Sequence, residues 1–210
     1  SGNVSFYNES FGEAVYPTPI IGMVGLIGNL AHRRTMGFPA EGLLVVMLGE
    51  TLAELGGSEY LRLVHGLTGG KPPALDLSLE KGVQTTCIEA IRRGIIRSAH
   101  DCSEGGAAVA LLECCCYGDM GAEVQVETGL RPHEWLFSES QSRFVVTVQA
   151  EDMESLRRLA AVRGVPVYVL GKTRGGRLRI NDWIDLEVAE MRRAREGVLE
   201  RILSGDAGKG

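Results

Sequence analysis

The sequence predicts an α+β fold: a mixed or antiparallel sheet with helices on one face. Three observations lead there. Apolar runs short enough for strands alternate with helix-period segments, but not as regular strand–helix–strand units. Two strand-like runs flank Gly175-Gly176, a tight turn of the kind that joins neighbouring antiparallel strands. The 210 residues, 44% hydrophobic and 23% charged, are enough for a well-buried core.

Taken in order, Pro17 and Pro19 force an extended entry, and Ile20 to Ile27 reads as a glycine-interrupted strand. His32 to Gly42 is a polar connector, and Leu43 to Leu48 a continuous apolar run of buried-strand length. Ser58 is placed to cap a short helix beginning Glu59-Tyr60-Leu61, and a loop with Gly69, Gly70, Pro72 and Pro73 follows. From Ser78 to Ser98, Val83, Cys87, Ile91 and Ile95 recur every four residues, one face of a helix. Ser98 to Asp101 is briefly extended, and Gly105 to Tyr117 is small and apolar enough for a buried helix. Gly121 to Val126 alternates like a strand, and Phe144 to Val148 is β-branched. Asp152 to Arg163 is an amphipathic helix; Val165 to Leu170 and Leu178 to Ile180 are strands. A closing helix runs from about Asp185 to Leu203, and the glycine-rich end reads as disordered.

The charge balance narrows function. A net charge of −5 and a pI near 5.5 speak against nucleic-acid binding, and the 18 arginines are scattered or doubled, never in a run. No apolar run reaches the ~18 residues of a membrane span, and no cationic start precedes an apolar signal segment. Five cysteines, three of them consecutive (Cys114, Cys115, Cys116), make no disulfide framework. They read as buried free thiols in a reducing cytoplasm.

Three polar constellations stand out. In SGNVS, the Asn3 amide oxygen suits Mg²⁺, Gly2 lets a phosphate approach the backbone, and Ser5 offers a hydroxyl to a polar substrate. The same cluster is ordinary turn or cap material, and on residue chemistry alone that is the stronger reading. In AHDCSEGG, Asp101 is a potential Mg²⁺ ligand just before a glycine pair that opens a helix, or else Asp101 or Ser103 caps that helix. In FSESQSRF, Glu139, Ser140 and Gln141 form a polar patch at the start of a buried strand, able to bind a ligand or to make a turn. The four histidines show no metal-ligand spacing, and there is no Walker-type loop.

SGNVSFYNE followed by PTPIIGMVGL, then LGETLAELGGSEYL, AHDCSEGGAAVAL and LFSESQSRFVV, occur in one order. Together they resemble the C-terminal part of the phosphoribosylformylglycinamidine synthase family, from Ser1 to about Leu203. The resemblance implies the aminoimidazole-ribonucleotide-synthetase C-terminal-domain type of fold. It divides the chain into residues 1–28, the tail of a second nucleotide-binding α/β domain, residues 29–203, a complete α+β domain, and a disordered tail at 204–210. It implies a cytoplasmic ligase that uses ATP and Mg²⁺. Formylglycinamide ribonucleotide and glutamine-derived ammonia give formylglycinamidine ribonucleotide, ADP and phosphate in purine biosynthesis, through an iminophosphate.

Carried over by position, Gly2 contacts nucleotide, Asn3 binds Mg²⁺ and Ser5 contacts the ribonucleotide. Glu139, Ser140 and Gln141 match a substrate-touching motif and, with Asp101, fall near a pseudo-symmetric auxiliary nucleotide site. No catalytic residue is expected here, because the catalytic histidine region belongs to a first half outside this sequence. The implied partners are that N-terminal half, a glutaminase subunit and a small accessory subunit, with no nucleic acid and no membrane. Two other readings remain: another ATP-using member of the superfamily, such as aminoimidazole ribonucleotide synthetase or selenophosphate synthetase, or a structural and interaction domain inactive in isolation.

Overall fold

The β-branched run Leu44–Leu48 (β3) is the strand around which the domain is built, and its neighbours follow from how its side chains divide. Val45 and Met47 point into one apolar core, Val46 and Leu48 into a second on the opposite side. A strand apolar on both sides needs cover on both sides. The computed structural model, which describes residues 9–10, 12–14 and 21–203, supplies it. The chain forms two compact units, Ser1–Leu30 and Ala31–Gly210. In the first, β1 (Glu9–Ser10) and β2 (Glu13–Ala14) pair antiparallel around Gly12. Residues 21–27, within the stretch expected to be a strand, form no strand. Met23, Val24 and Leu26 are more than nine-tenths exposed, with no neighbour to pair with among the described residues. Residues 204–210, expected to be disordered, lie outside the described residues.

The second unit carries a seven-stranded sheet. Besides β3 it contains β4 (Ile96–Asp101), β5 (Ala122–Val124), β6 (Phe144–Val148), β7 (Val167–Thr173), β8 (Arg177–Ile180) and β9 (Ile184–Glu187). The order is β4-β6-β3-β7-β5-β8-β9, antiparallel throughout except for β5 and β8, which run parallel. This is the mixed sheet the sequence predicts. The helices, however, lie on both faces rather than one. Helices α2 (Leu77–Arg92) and α5 (Met153–Ala161) bury Val83, Cys87 and Leu156 against Val46 and Leu48. Helices α3 (Gly106–Gly118), α4 (Pro132–Phe137) and α6 (Val188–Leu203) cover the other face through Leu111, Trp135 and Met191. All five cysteines are buried and free, as expected. A short α1 (Glu59–His65), capped by the Ser58 hydroxyl as its sequence predicts, lies outside both cores.

Helix α2 stops earlier than its apolar period suggests. Gly94 takes the left-handed conformation at φ +74°, which turns the chain so that Ile96 opens β4 instead of extending the helix. The outer edge of β4 is covered by the connector before β3: Ala99 N donates to Thr35 O at 3.2 Å, and Arg34 Nε to Ile96 O at 2.6 Å. Such cover blocks pairing with another chain.

The Gly175-Gly176 turn does not make a hairpin. Strand β5 lies between β7 and β8, so the two strands that flank the turn are not paired. The turn instead folds over the start of β5, where Gly121 N donates to Gly175 O at 2.6 Å and Arg174 N to Gly121 O at 2.8 Å. A Cβ on Gly121 would stand 2.2 Å from Arg177 O, so only glycine fits. Beyond β7, one sheet face carries no helix among the described residues and is made of charges in register: Lys172, Glu123, Arg179 and Asp185 stand side by side with alternating sign. Strand β9 takes the residues expected to begin the closing helix, which starts at Val188.

Candidate functional site

Register brings three loops to one end of the sheet. Leu48 at the end of β3 pairs with Phe144 at the start of β6, and Phe144 pairs with Asp101 at the end of β4. The segments 49–58, 102–105 and 138–143 therefore converge, and two of the predicted polar constellations meet there. Cys102 N donates to Arg143 O at 3.0 Å, and Gly105 N to Glu139 Oε1 at 2.9 Å.

Arg143 organises this end. It is 1% exposed, the largest fully buried side chain among the described residues. Its Nε donates to Ser140 O at 2.8 Å, Nη2 to Ser138 O at 2.6 Å and Nη1 to Thr51 Oγ1 at 2.9 Å. Burial pulls its guanidinium below the usual range, while nearby Cys102, Glu54 and Glu139 pull it back up. Burial likewise pushes the Cys102 thiol up to about 11. Arg143 thus curls the 138–142 backbone around itself, and Ser142 accepts φ +60° to close the curl. The Ser142 hydroxyl donates to Glu80 Oε2 at 2.6 Å.

The predicted residues divide by what their side chains do. Glu139 Oε1 accepts from Glu59 N and from Gly105 N, both at 2.9 Å, so one carboxylate oxygen joins the starts of α1 and α3. Ser140 Oγ accepts from Leu52 N at 3.1 Å, and the neighbouring Ser138 Oγ from Glu54 N at 3.1 Å. These groups brace backbone. Gln141 is exposed, with its amide on Glu139 O at 3.1 Å. Asp101 is exposed too. It accepts from Ser103 Oγ at 2.5 Å and stands 3.5 Å from His100 Nδ1. His100 Nε2 lies 2.8 Å from Glu113 Oε2, which ties β4 to α3. Gly2, Asn3 and Ser5 lie outside the described residues.

Two depressions flank this end. One, of about 340 Å³, is lined by α1 and α3 with Tyr60, Leu63, Val109 and Phe137, and is almost wholly apolar. The other, of about 650 Å³, lies beyond β3, with Glu50, Glu127, Arg157 and Tyr168 around Trp135. Thr51, on the Arg143 guanidinium, lines the second.

The model for AIR synthase related protein, C-terminal domain, matches residues 40–182, most of the chain and the whole sheet apart from β9. The chain belongs to this family. Among curated relatives, it is 50% identical over 182 residues to the phosphoribosylformylglycinamidine synthase subunit PurL of Moorella thermoacetica, and 42% identical over 207 residues to that of Alkaliphilus metalliredigens. These matches cover 86% and 97% of this chain but 25% and 28% of those proteins. The chain thus spans about a quarter of the length of relatives that carry the name the sequence motifs suggested. Among solved structures, "T. maritima PurL complexed with FGAR" aligns over 78% of this chain and 30% of its own, with a TM-score of 0.67 at 20% identity. The same protein complexed with ATP aligns with a TM-score of 0.61 at 21% identity. Both establish the fold.

Arg143 and Glu54 were not anticipated as members of this end. Arg143 was legible as the single charge entering a β-branched strand, a position that demands many partners if buried. The Glu139 contact to Gly105 was not legible, because it joins residues 34 apart in sequence. Among the described residues, no three His, Cys, Asp or Glu side chains are grouped to hold a metal. Nor is any described helix long and apolar enough to cross a membrane.

Proposed function

We propose that this chain is part of the synthetase subunit of a phosphoribosylformylglycinamidine synthase. That enzyme is an ATP-dependent ligase that converts formylglycinamide ribonucleotide and ammonia to formylglycinamidine ribonucleotide, ADP and phosphate. The observation that carries the proposal is 50% identity over 86% of the chain to a relative of that name. Ammonia drawn from glutamine, a glutaminase subunit, a small accessory subunit and a cytoplasmic setting belong to the same proposal.

Within it, residues 1–28 and 29–203 are parts of successive domains, and Gly2, Asn3 and Ser5 meet nucleotide, Mg²⁺ and ribonucleotide. The described residues do not themselves fit Mg²⁺. Asp101 is an exposed carboxylate beside His100 Nδ1 at 3.5 Å, and among the described residues no third His, Cys, Asp or Glu joins them to hold a metal. A metal therefore depends on Asn3 and on residues elsewhere in the enzyme, and no step is assigned to it here. The end of the sheet is acidic, and the Gly105 and Gly106 amides already donate to Glu139 Oε1 and Ser103 O. An auxiliary nucleotide at this end is met by the exposed side chains of Asp101 and Gln141, while Glu139 and Ser140 hold the loop that carries Gln141.

The test uses the full-length synthase. With ATP, ammonia and formylglycinamide ribonucleotide, ADP release should match formation of the amidine product. ADP release with formylglycinamidine ribonucleotide or selenide instead would overturn the assignment. The 210-residue chain alone should show no turnover, since it spans only about a quarter of its relatives.

A further inference from the structure

We propose that residues 50–76, with α1 at their centre, form a flap that opens as a unit, and that Glu139 is its latch. The inference does not rest on the synthase reading. It begins with burial: from Glu50 to Leu77, Ser58 is the only buried residue, and α1 buries no side chain. A stretch that adds almost nothing to either apolar core has little to resist local opening. Yet the stretch is closed on itself. Gly57 N donates to Gly69 O at 2.8 Å, and Ala74 N to Glu54 Oε1 at 2.9 Å. The Gly56 backbone meets Lys71 so closely that a Cβ there would lie 2.0 Å from Lys71 O. Such a unit can leave without unravelling.

Among the described residues, apart from its two ends, where Thr51 Oγ1 lies 3.5 Å from Met47 Sδ and Asp76 caps α2, its attachments to the body converge on one short region. Leu52 N, Glu54 N and Thr51 Oγ1 bond to Ser140, Ser138 and Arg143, and Glu54 O accepts from Glu139 N at 3.3 Å. The Tyr60 ring stacks on Phe137 at 5.2 Å and on His133 at 5.7 Å. Of these attachments, only the Glu139 carboxylate reaches a second element. The oxygen that accepts from Glu59 N also accepts from Gly105 N, so it fastens the start of α1 to the start of α3 across the apolar depression. A hydrogen bond to a charged group is the strongest kind in the set. Losing it leaves α1 held to α3 by no hydrogen bond.

Amide hydrogen exchange on the full 210-residue chain tests this. The reporters are Arg62 N, Gly66 N and Leu67 N, which bond only within the flap, compared with the β3 and β6 amides. In the parent chain the three should exchange faster than β3 and β6. Glu139→Ala should speed them by about tenfold or more, leaving β3 and β6 unchanged. Glu59→Pro removes one donor to Glu139 and nothing from the helix ladder, because proline suits a first helical position and Ser58 already has the extended backbone that precedes it. It should speed the same three amides more than Glu59→Ala does, a variant that loses the Glu59–Arg62 ion pair equally but keeps the backbone donor to Glu139. Should Glu139→Ala fail to fold, Glu59→Pro decides alone. Exchange of the three at the β3 rate in the parent chain, or no change in the variant that folds, overturns the proposal.

Discussion

Arg143→Met asks how much of this domain hangs on one buried cation. The substitution keeps an unbranched, adaptable apolar stem but leaves the outer guanidinium positions to be filled by repacking. It strands the carbonyls of Ser138 and Ser140, two residues that are 0% and 2% exposed. Each stranded buried carbonyl costs about 1–3 kcal/mol, or about 2–6 kcal/mol together. Thr51 adds little, because it is half-buried and its hydroxyl also lies 3.5 Å from Met47 Sδ. Against this stands relief from burying a charge, the same burial that pulls the guanidinium below its usual range. The net expectation is a loss of about 2–4 kcal/mol. Arg143→Lys keeps the charge but cannot reach three acceptors in three directions, and should lose about half as much. Urea unfolding followed by circular dichroism measures both. A Met variant within about 0.5 kcal/mol of the parent, or a Lys variant less stable than the Met variant, would refute the reasoning, because the charge and not the bonds would then dominate.

Two further outcomes follow from the core. Gly121→Ala puts a methyl 2.2 Å from Arg177 O, and backbone on both sides leaves it no way out. It should cost about 3 kcal/mol or more in the same unfolding assay, and a loss below about 1 kcal/mol would mean that the turn over β5 yields. The thiols of Cys87 and Cys102 are pushed up to about 11 by burial, so the folded chain holds their protons where the unfolded chain releases them. The resulting stability is complete below the ordinary thiol value of 9.0 and is lost as pH rises from there through about 11. Unfolding at pH 10 should therefore show a loss of about 1 kcal/mol per thiol relative to pH 8, reduced by that amount in Cys87→Ala; an equal loss in that variant would count against it.

What was legible in the sequence is what local period and local chemistry decide. Leu44–Leu48 and Phe144–Val148 announced themselves by β-branched runs, and α1 by Ser58, whose hydroxyl accepts from Leu61 N. The placement of helices on both faces was not legible, although a run apolar at every position already called for it; the short tight turn drew attention to antiparallel pairing instead. The Gly175-Gly176 hairpin failed for the same kind of reason. Its two flanking strands are correct, but β5, from more than fifty residues earlier, competes for the space between them and wins by pairing with both. Strand β9 merged into the closing helix because Ile184-Asp185-Leu186-Glu187 alternates while the residues after it continue with helix formers.

The functional end shows the same division more sharply. Sequence order alone connected five motifs to one family, and the family match and the curated relatives agree. What each polar residue does at that end is a matter of distance, and distance separates side chains that residue type alone leaves alike. Glu139, the most reactive-looking group of FSESQSRF, gives its oxygen to two backbone amides, and Ser140 gives its hydroxyl to a third. Gln141 and Asp101, less conspicuous in the sequence, are the ones that face solvent. A polar motif at a strand start therefore has two layers: side chains that hold the loop against a buried arginine, and side chains that the loop presents. In the proposed site the second layer meets the ligand, and the first holds the loop that presents it.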